Sequence, residues 1–163
     1  MNEATSDNEA TSDSQAAGGK EAAGRTATAR SAEAGFEPPP LRLTPTLRDI
    51  VRYAGAAGDF YEMHYDLDFA RRLGHPELSL HGLYKAALLG RLVSEWAGDA
   101  GRLTSLSVRY RGMDVRDREL TCAARVESAD GGRVELTIRT ENAEGEATTV
   151  GTAVVTLDPP AGA

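Results

Sequence analysis

The 163-residue chain contains a single cysteine, Cys122, and only 6% aromatic residues. One cysteine excludes an internal disulfide and a zinc site built from cysteine ligands. Cys122 lies in a stretch where apolar and polar residues alternate. This pattern indicates a small buried side chain rather than a reactive nucleophile.

The chain also lacks a basic cluster, and its formal net charge is −7. Nucleic-acid binding depends on Lys and Arg side chains that neutralise phosphates, so we expect no nucleic-acid partner. No apolar run approaches the roughly 20 residues of a membrane-spanning helix. The polar start MNEATSD has no apolar segment behind it that would form a secretory signal. These absences predict a soluble, cytoplasmic protein without a membrane partner.

The first 38 residues differ in composition from the rest of the chain. The hexapeptide NEATSD occurs twice in tandem and is followed by Ala, Gly, Ser and Thr with scattered charges. Such a segment has almost nothing large to bury, which predicts a disordered acidic tail over residues 1–38. The remaining length suits one domain, which we place at residues 39–159, with a disordered end at residues 160–163.

The first half of the predicted domain has the spacing of helices. A first helix is capped by Thr44 or Thr46, and Asp66 caps a short helix over residues 67–73. A longer helix over about residues 83–96 carries few polar side chains. Its apolar face is too wide for a surface helix, so other elements must wrap it.

The second half supplies the segments that can wrap this helix. Apolar and polar residues alternate in three of them, and the fourth is apolar on both faces over part of its length. These segments are residues 106–111, 120–126, 134–138 and 148–157. Glycine-containing turns separate the last three segments, as in hairpins. The pattern predicts an α+β fold in which an antiparallel meander of four strands covers a long helix.

Five candidates for chemistry cluster before or at the start of the long helix: Asp59, His64, Asp66, His81 and Gly82. A turn between Asp59 and His64 would bring a carboxylate and an imidazole together around a water molecule. Gly82 would offer the free N–H groups and the positive end of a helix dipole to a developing oxyanion. Each candidate also has a structural interpretation, and for Asp66 (a helix cap) and His81 (a partner at the helix start) that interpretation is favoured.

These residues resemble the motif of the MaoC-like, (R)-specific enoyl-CoA hydratases of the hotdog fold. The family motif A-x-x-[ST]-G-D-x-N-P-[IL]-H-x-D is followed by A-x-x-x-G and then by H-G-[ML]. Here the three elements read AGAAGDFYEMHYD from residue 54, ARRLG from residue 70 and HGL from residue 81. The chain departs from the motif at residues 61–63, where Tyr-Glu-Met replaces Asn-Pro-[IL]. The family's Asn and Pro brace and stiffen the catalytic loop.

The resemblance implies a single hotdog domain, in which an antiparallel sheet wraps a long central helix. It implies that Asp59 and His64 activate water for addition to C3 of a 2-enoyl thioester, and that the Gly82 N–H polarises the thioester carbonyl, with His81 beside it. The product would be an (R)-3-hydroxyacyl thioester, or the reaction would run in reverse as a dehydration. No metal or organic cofactor is implied, because CoA or an acyl-carrier arm arrives as part of the substrate.

Hotdog domains generally pair through a sheet edge, so the resemblance implies a homodimer or a heterodimer with a second hotdog subunit. The segment VSEWAG at residues 93–98 is similar to catalytic subunits of bacterial hydratases that pair with such a subunit. Two other functions remain open. One is a non-catalytic or partner-dependent subunit that binds an acyl thioester, and the other is a hotdog thioesterase that would cleave the C–S bond.

Overall fold

The structure is a computed structural model that describes residues 32–158 of the chain. Most of the predicted tail, residues 1–31, and the predicted C-terminal end, residues 160–163, lie outside the described residues. Just before the predicted domain, Gly35 donates a backbone hydrogen bond to Val126, and Val126 donates one to Phe36, both at 2.8 Å. Phe36 also packs against the hydrophobic core. The chain therefore contacts the domain a few residues before residue 39.

Three α-helices occur in the described range, joined by short turns. They are α1 (Leu47–Ala57), α2 (Leu67–Arg72) and α3 (Gly82–Ala97), with 3₁₀ turns at Glu62–His64 and Gly98–Ala100. Of the two caps predicted for α1, Thr46 is the one used: its side chain accepts from the N–H of Asp49, and the Asp49 carboxylate accepts from the N–H of Thr46. The predicted cap of α2 is confirmed, since the Asp66 carboxylate accepts from the N–H of Phe69 at 2.9 Å.

Within residues 32–158, five antiparallel strands form one sheet. They are β1 (Leu41–Leu43), β2 (Gly101–Tyr110), β3 (Leu120–Asp130), β4 (Arg133–Glu141) and β5 (Ala147–Leu157), in the spatial order β1-β3-β4-β5-β2. The two hairpins β3–β4 and β4–β5 are confirmed, with Gly131, Gly132 and Gly145 at positive φ in their turns.

The predicted four-strand meander is wrong in two respects. Strand β1 was missed, because three residues are too few to show alternation. Strand β2 pairs with β5 rather than with β3. The reason is the connection over residues 111–119, which is long enough to carry the chain from one edge of the sheet toward the other, whereas a tight hairpin would have kept β2 and β3 adjacent.

Helix α3 packs against β2, β3, β4 and β5, which confirms that the sheet wraps this helix. Its buried side chains include Leu88, Leu89, Leu92, Val93 and Trp96. Full burial of an aliphatic side chain of this size contributes about 1.5–3 kcal/mol, so the helix is firmly held. An antiparallel sheet around a long central helix is the hotdog fold that the resemblance implied.

Cys122 lies in this core, on β3, and is fully buried. Burial raises the pKa of its thiol to about 12. The thiolate is the nucleophilic form, so this cysteine is unreactive in the folded protein, as its sequence context predicted. Within residues 32–158, no helix is both long and apolar enough to cross a membrane.

Candidate active site

The loop between α1 and α2 carries the first two candidate residues. Helix α1 ends at Gly58, which has a φ of 68° and donates its N–H to the carbonyl of Ala54. The chain then turns through Glu62–His64 and enters α2. This turn brings the Asp59 and His64 side chains together, and His81 joins them: the three residues offer ligand-type atoms that lie within 4.8 Å of one another.

His64 is oriented by the backbone of the segment that precedes α3. The side chain is 6% exposed, and Nδ1 lies 2.9 Å from the carbonyl oxygen of Ser79. A carbonyl oxygen can only accept, so Nδ1 carries the proton and donates it. In the neutral form of the ring, Nε2 then carries the lone pair and can accept a proton.

His81 is fixed in a similar way but has a different environment. Nε2 lies 3.1 Å from the carbonyl oxygen of Asp59, so Nε2 carries the proton and donates to it. Nδ1 is buried and has no hydrogen-bond partner among the described residues. Burial lowers the pKa of His81, and the nearby His64 lowers it further. Both effects favour the neutral form of His81, and its hydrogen bond fixes the backbone at Asp59.

The two imidazoles stack on each other, with ring centroids 3.7 Å apart and an interplanar angle of 25°. The Tyr53 ring also packs against His81, at 5.2 Å between centroids and an interplanar angle of 53°. Two imidazoles bound to one zinc ion would have centroids about 5 Å apart, given Zn–N distances of about 2.0–2.1 Å and tetrahedral angles. A metal ion bound by both rings would therefore require the stack to open. The arrangement suits a water molecule better.

Asp59 leaves most of its carboxylate available for such a water. The side chain is half-buried, and its one hydrogen bond within residues 32–158 is a long one, 3.4 Å from Oδ1 to the backbone N–H of Tyr61. Asp66, the other acid of the motif, caps α2 and does not belong to the cluster.

Gly82 is the first residue of α3 and follows His81 directly. The first backbone bonds of the helix are made by the N–H groups of Tyr84 and Lys85 to the carbonyl of His81. The N–H groups before them stay available for a ligand. A Cβ at Gly82 would lie 3.0 Å from Cζ of Tyr110, so glycine also leaves room for that ring.

Aromatic side chains occupy the segment where the chain departs from the family motif. The Tyr61 ring packs edge-on against Phe69, at 5.6 Å between centroids, and against His64, at 6.2 Å. The Tyr65 hydroxyl donates to the carbonyl of Phe60 at 3.0 Å. Edge-to-face pairs of this kind contribute about 0.5–1.5 kcal/mol. These contacts stabilise the loop without the family's Asn and Pro.

Three residues around the site were not identified from the sequence. Ser79 positions His64 through a backbone carbonyl, which any residue type can supply, so no sequence signal could have indicated it. Lys85 and Asp114 form a buried ion pair one turn into α3. The lysine was visible as a rare polar residue of that helix, but nothing in the sequence indicates its partner.

The fold and the site together define a hotdog domain with a carboxylate–imidazole cluster at the start of its central helix. Residues 28–148 match the family model described as "MaoC like domain". This match covers well over half of the chain, and the chain therefore belongs to the MaoC-like family, whose members include hydratases and dehydratases.

Known proteins with similar sequence or structure agree with this assignment. The chain is 33% identical over 93 residues to fatty acid synthase subunit beta of Aspergillus oryzae, a match that covers 55% of this chain and 4% of that protein. The structure is similar to the (R)-hydratase from A. caviae involved in PHA biosynthesis, with a TM-score of 0.74 and 23% identity over 80% of this chain and 100% of that one. It is also similar to the ChsH1–ChsH2 complex from Mycobacterium tuberculosis, with a TM-score of 0.72 and 24% identity over 77% and 98%. At these identities, the structural similarities show the fold.

Proposed function

We propose that this protein hydrates 2-enoyl thioesters to (R)-3-hydroxyacyl thioesters, or catalyses the reverse dehydration. The observation that carries the proposal is the convergence of Asp59 and His64 beside the start of α3, in a chain of the MaoC-like family. One protein of similar structure is an (R)-hydratase, which supports the reaction type.

In the hydration direction, the Asp59 carboxylate and the Nε2 lone pair of His64 hold one water molecule. One group of the pair accepts a proton from the water as the water oxygen attacks C3 and then gives this proton to C2, while the other group holds the water in position. The C2=C3 electron pair moves toward the thioester carbonyl, and the Gly82 N–H stabilises the resulting negative charge on oxygen. General acid–base catalysis of this type contributes about 10²–10⁴-fold.

We propose that the reaction needs no metal or organic cofactor. Proton transfer and an oxyanion donor are sufficient for addition of water to a conjugated thioester, and this chain offers both. CoA or an acyl-carrier arm would enter as part of the substrate.

The edge of the sheet supports a dimer. Strand β2 pairs with β5 on one side and has no neighbour on the other within residues 32–158. Exposed apolar side chains accompany this edge: Leu106 is 36% exposed, Tyr110 47% and Leu83 of α3 59%. A long unpaired edge with apolar side chains favours association. We propose that β2 pairs with a second hotdog domain, in a homodimer or a heterodimer.

The same edge favours one alternative function. If β2 pairs with a different hotdog chain, this protein could bind an acyl thioester without acting alone, as a non-catalytic or partner-dependent subunit. One of the similar structures is a complex of two different proteins, ChsH1 and ChsH2.

The direct test follows the loss of the conjugated thioester absorbance of a short and a long 2-enoyl-CoA, with chiral analysis of the product. We expect the purified full chain to hydrate at least one of them. Asp59→Asn should lower kcat/KM by at least about 100-fold, because it removes a catalytic acid–base group.

Asp66→Asn is the matched control, since it changes an acid of the same loop that lies outside the cluster, and asparagine also caps helices. Its activity should stay within about twofold of the wild type. Equal activity of wild type and Asp59→Asn would contradict the proposed mechanism. A folded dimer that hydrates neither substrate would favour the partner-dependent alternative.

A further inference from the structure

An ion pair is buried one turn into α3, and the proposed reaction does not use it. Lys85 Nζ lies 2.7 Å from Asp114 Oδ2, and the two side chains are only 3% and 5% exposed. Lys85 also donates to the carbonyl of Gly112 at 2.9 Å, and the Thr148 hydroxyl donates to Asp114 Oδ2 at 2.6 Å. The pair therefore joins the start of α3, the connection after β2 and the start of β5.

Stability alone does not account for this pair. Moving two charges out of water costs several kcal/mol for each ion, and apolar residues of similar volume are often equally or more stabilising at such positions. The Asp114 carboxylate is also incompletely satisfied, because Oδ1 has no hydrogen-bond partner among the described residues. A costly, directional contact in this place points to a requirement for precise geometry.

The backbone of Asp114 leads from the ion pair to the candidate active site. Its carbonyl accepts from the N–H of Leu80 at 2.8 Å, and the N–H of Arg116 donates to the carbonyl of Leu78 at 3.1 Å. These bonds pair residues 114–116 with residues 78–80, antiparallel, with Ser79 opposite Val115. We refer to residues 78–80 as the support segment.

The support segment holds both halves of the proposed site. On the side away from residues 114–116, the Ser79 carbonyl accepts the Nδ1 proton of His64. At its C-terminal end, the segment continues directly into His81 and Gly82, the start of α3. The connection over residues 111–119 that braces it has no helix or strand of its own. Backbone hydrogen bonds anchor its two ends, from Arg111 and Gly112 to Thr148 and from Asp117 to Pro45. The Lys85–Asp114 contact is a buried ion pair between these anchors.

We propose that Lys85 and Asp114 are positioning residues: their ion pair locks residues 114–116 against α3 and so fixes His64 and the Gly82 N–H relative to each other. The effect on kcat that we expect from this role rests on the proposed function. A displacement of about 1 Å in a catalytic group can cost about 100-fold in rate. Directional charged hydrogen bonds resist such a displacement better than apolar contacts, which tolerate small slips.

The main test replaces both charges with apolar side chains, as Lys85→Met/Asp114→Leu, so that no unpaired charge is left buried. We expect a folded protein with a nearly unchanged midpoint of thermal unfolding. We expect kcat for 2-enoyl-CoA hydration to fall at least tenfold and KM to change less than about threefold, because ground-state binding does not depend on the exact place of His64. A folded double variant with wild-type kcat would overturn the proposal.

Two single variants keep the test decisive if the double variant does not fold. Thr148→Val removes a hydrogen bond to Asp114 but leaves the ion pair, and we expect a two- to fivefold loss of kcat. Thr140→Val is the matched control: its hydroxyl lies 2.9 Å from that of Thr148, equally buried but one contact farther from Asp114. Its kcat should equal that of the wild type, and equal kcat values for both threonine variants would refute the positioning role.

A measurement without substrate separates this inference from the proposed function. The proton on Nδ1 of His64 is detectable by NMR when the hydrogen bond to Ser79 protects it. The double variant should lose this signal, and the amides of the support segment should exchange faster, while β3 and β4 stay protected. If the double variant shows these changes but the wild-type chain hydrates no enoyl thioester, the positioning role stands and the proposed function is rejected. An unchanged His64 signal would reject the positioning role.

Discussion

Gly82→Ala tests the start of α3 with the smallest change available. The new methyl group would lie 3.0 Å from Cζ of Tyr110 and 3.2 Å from each of its Cε atoms. Carbon atoms pack best at about 3.5–4.0 Å, so the ring must move by several tenths of an ångström. Tyr110 is 47% exposed in the single chain, and the far end of its side chain can tilt away from the new methyl group. We expect this adjustment to cost about 1 kcal/mol.

The backbone partly offsets this cost. Alanine is better than glycine inside a helix by up to about 1 kcal/mol, and by less at the first helical position. The free energy of unfolding should therefore change by no more than about 1 kcal/mol. The activity should respond differently, because the methyl group stands beside the N–H that we propose for the thioester carbonyl. Loss of one oxyanion donor costs about 10²–10³-fold, so a partial displacement should lower kcat/KM at least tenfold.

The assay pairs 2-enoyl-CoA hydration with thermal unfolding for three proteins. Gly55→Ala is the control, because Gly55 lies in the last turn of α1 and a Cβ there would meet no atom within 4 Å beyond the local helix backbone. It should be slightly more stable than the wild type and equally active. Gly82→Ala/Tyr110→Ala shows how the methyl group acts: recovery of activity would indicate displacement of the ring, and no recovery would indicate a block at the substrate itself. Wild-type kcat/KM in Gly82→Ala would refute the proposed role of this N–H.

Two further predictions concern stability. Gly151→Ala should lower the free energy of unfolding by about 3 kcal/mol, because its Cβ would overlap the backbone carbonyl oxygen of Ser107 on the paired strand β2, and backbone cannot yield as a side chain does. Urea unfolding beside Gly55→Ala checks this, and a loss under 1 kcal/mol would contradict it. Burial lowers the pKa of His81 from 6.5, so just below pH 6.5 the unfolded chain binds more protons than the folded one. The contribution of His81 to the free energy of unfolding should be fully present above about pH 6.5 and should decrease as the pH falls below 6.5. This decrease should be smaller in His81→Gln than in the wild type, and unchanged in His75→Gln. An equal decrease in all three proteins would contradict the prediction.

Local features of the fold could be predicted from the sequence because they depend on residues close together in the chain. Asp66 caps α2 through a bond to a residue three positions later. Cys122 is buried because alternation along β3 places it on the inner face. The glycines of the two hairpins supply the positive φ angles that tight turns need. The sequence indicated for the same reason that β2 is a strand, but it did not indicate that β5 is the neighbour of β2 in the sheet.

The proximity of the candidate residues was also visible in the sequence, in the short interval from Asp59 to His64 and in the His81–Gly82 pair. Which nitrogen of each histidine carries its proton was not, because that depends on carbonyl oxygens of Ser79 and Asp59, 15 and 22 positions away in the chain. The stacking of the two rings likewise depends on contacts between residues that are far apart in the sequence.

Tertiary structure alone decided the rest. Strand β2 lies beside β5, at the edge opposite β1, because the long connection after it permits a crossing that no local pattern indicates. Lys85 meets Asp114 across 29 positions, and in the sequence the lysine is one of the few charges on an apolar helix. Hydrophobic spacing determines which face of an element is buried, but the packing of the core determines which buried groups come into contact. Those contacts orient the residues that are proposed to act on water.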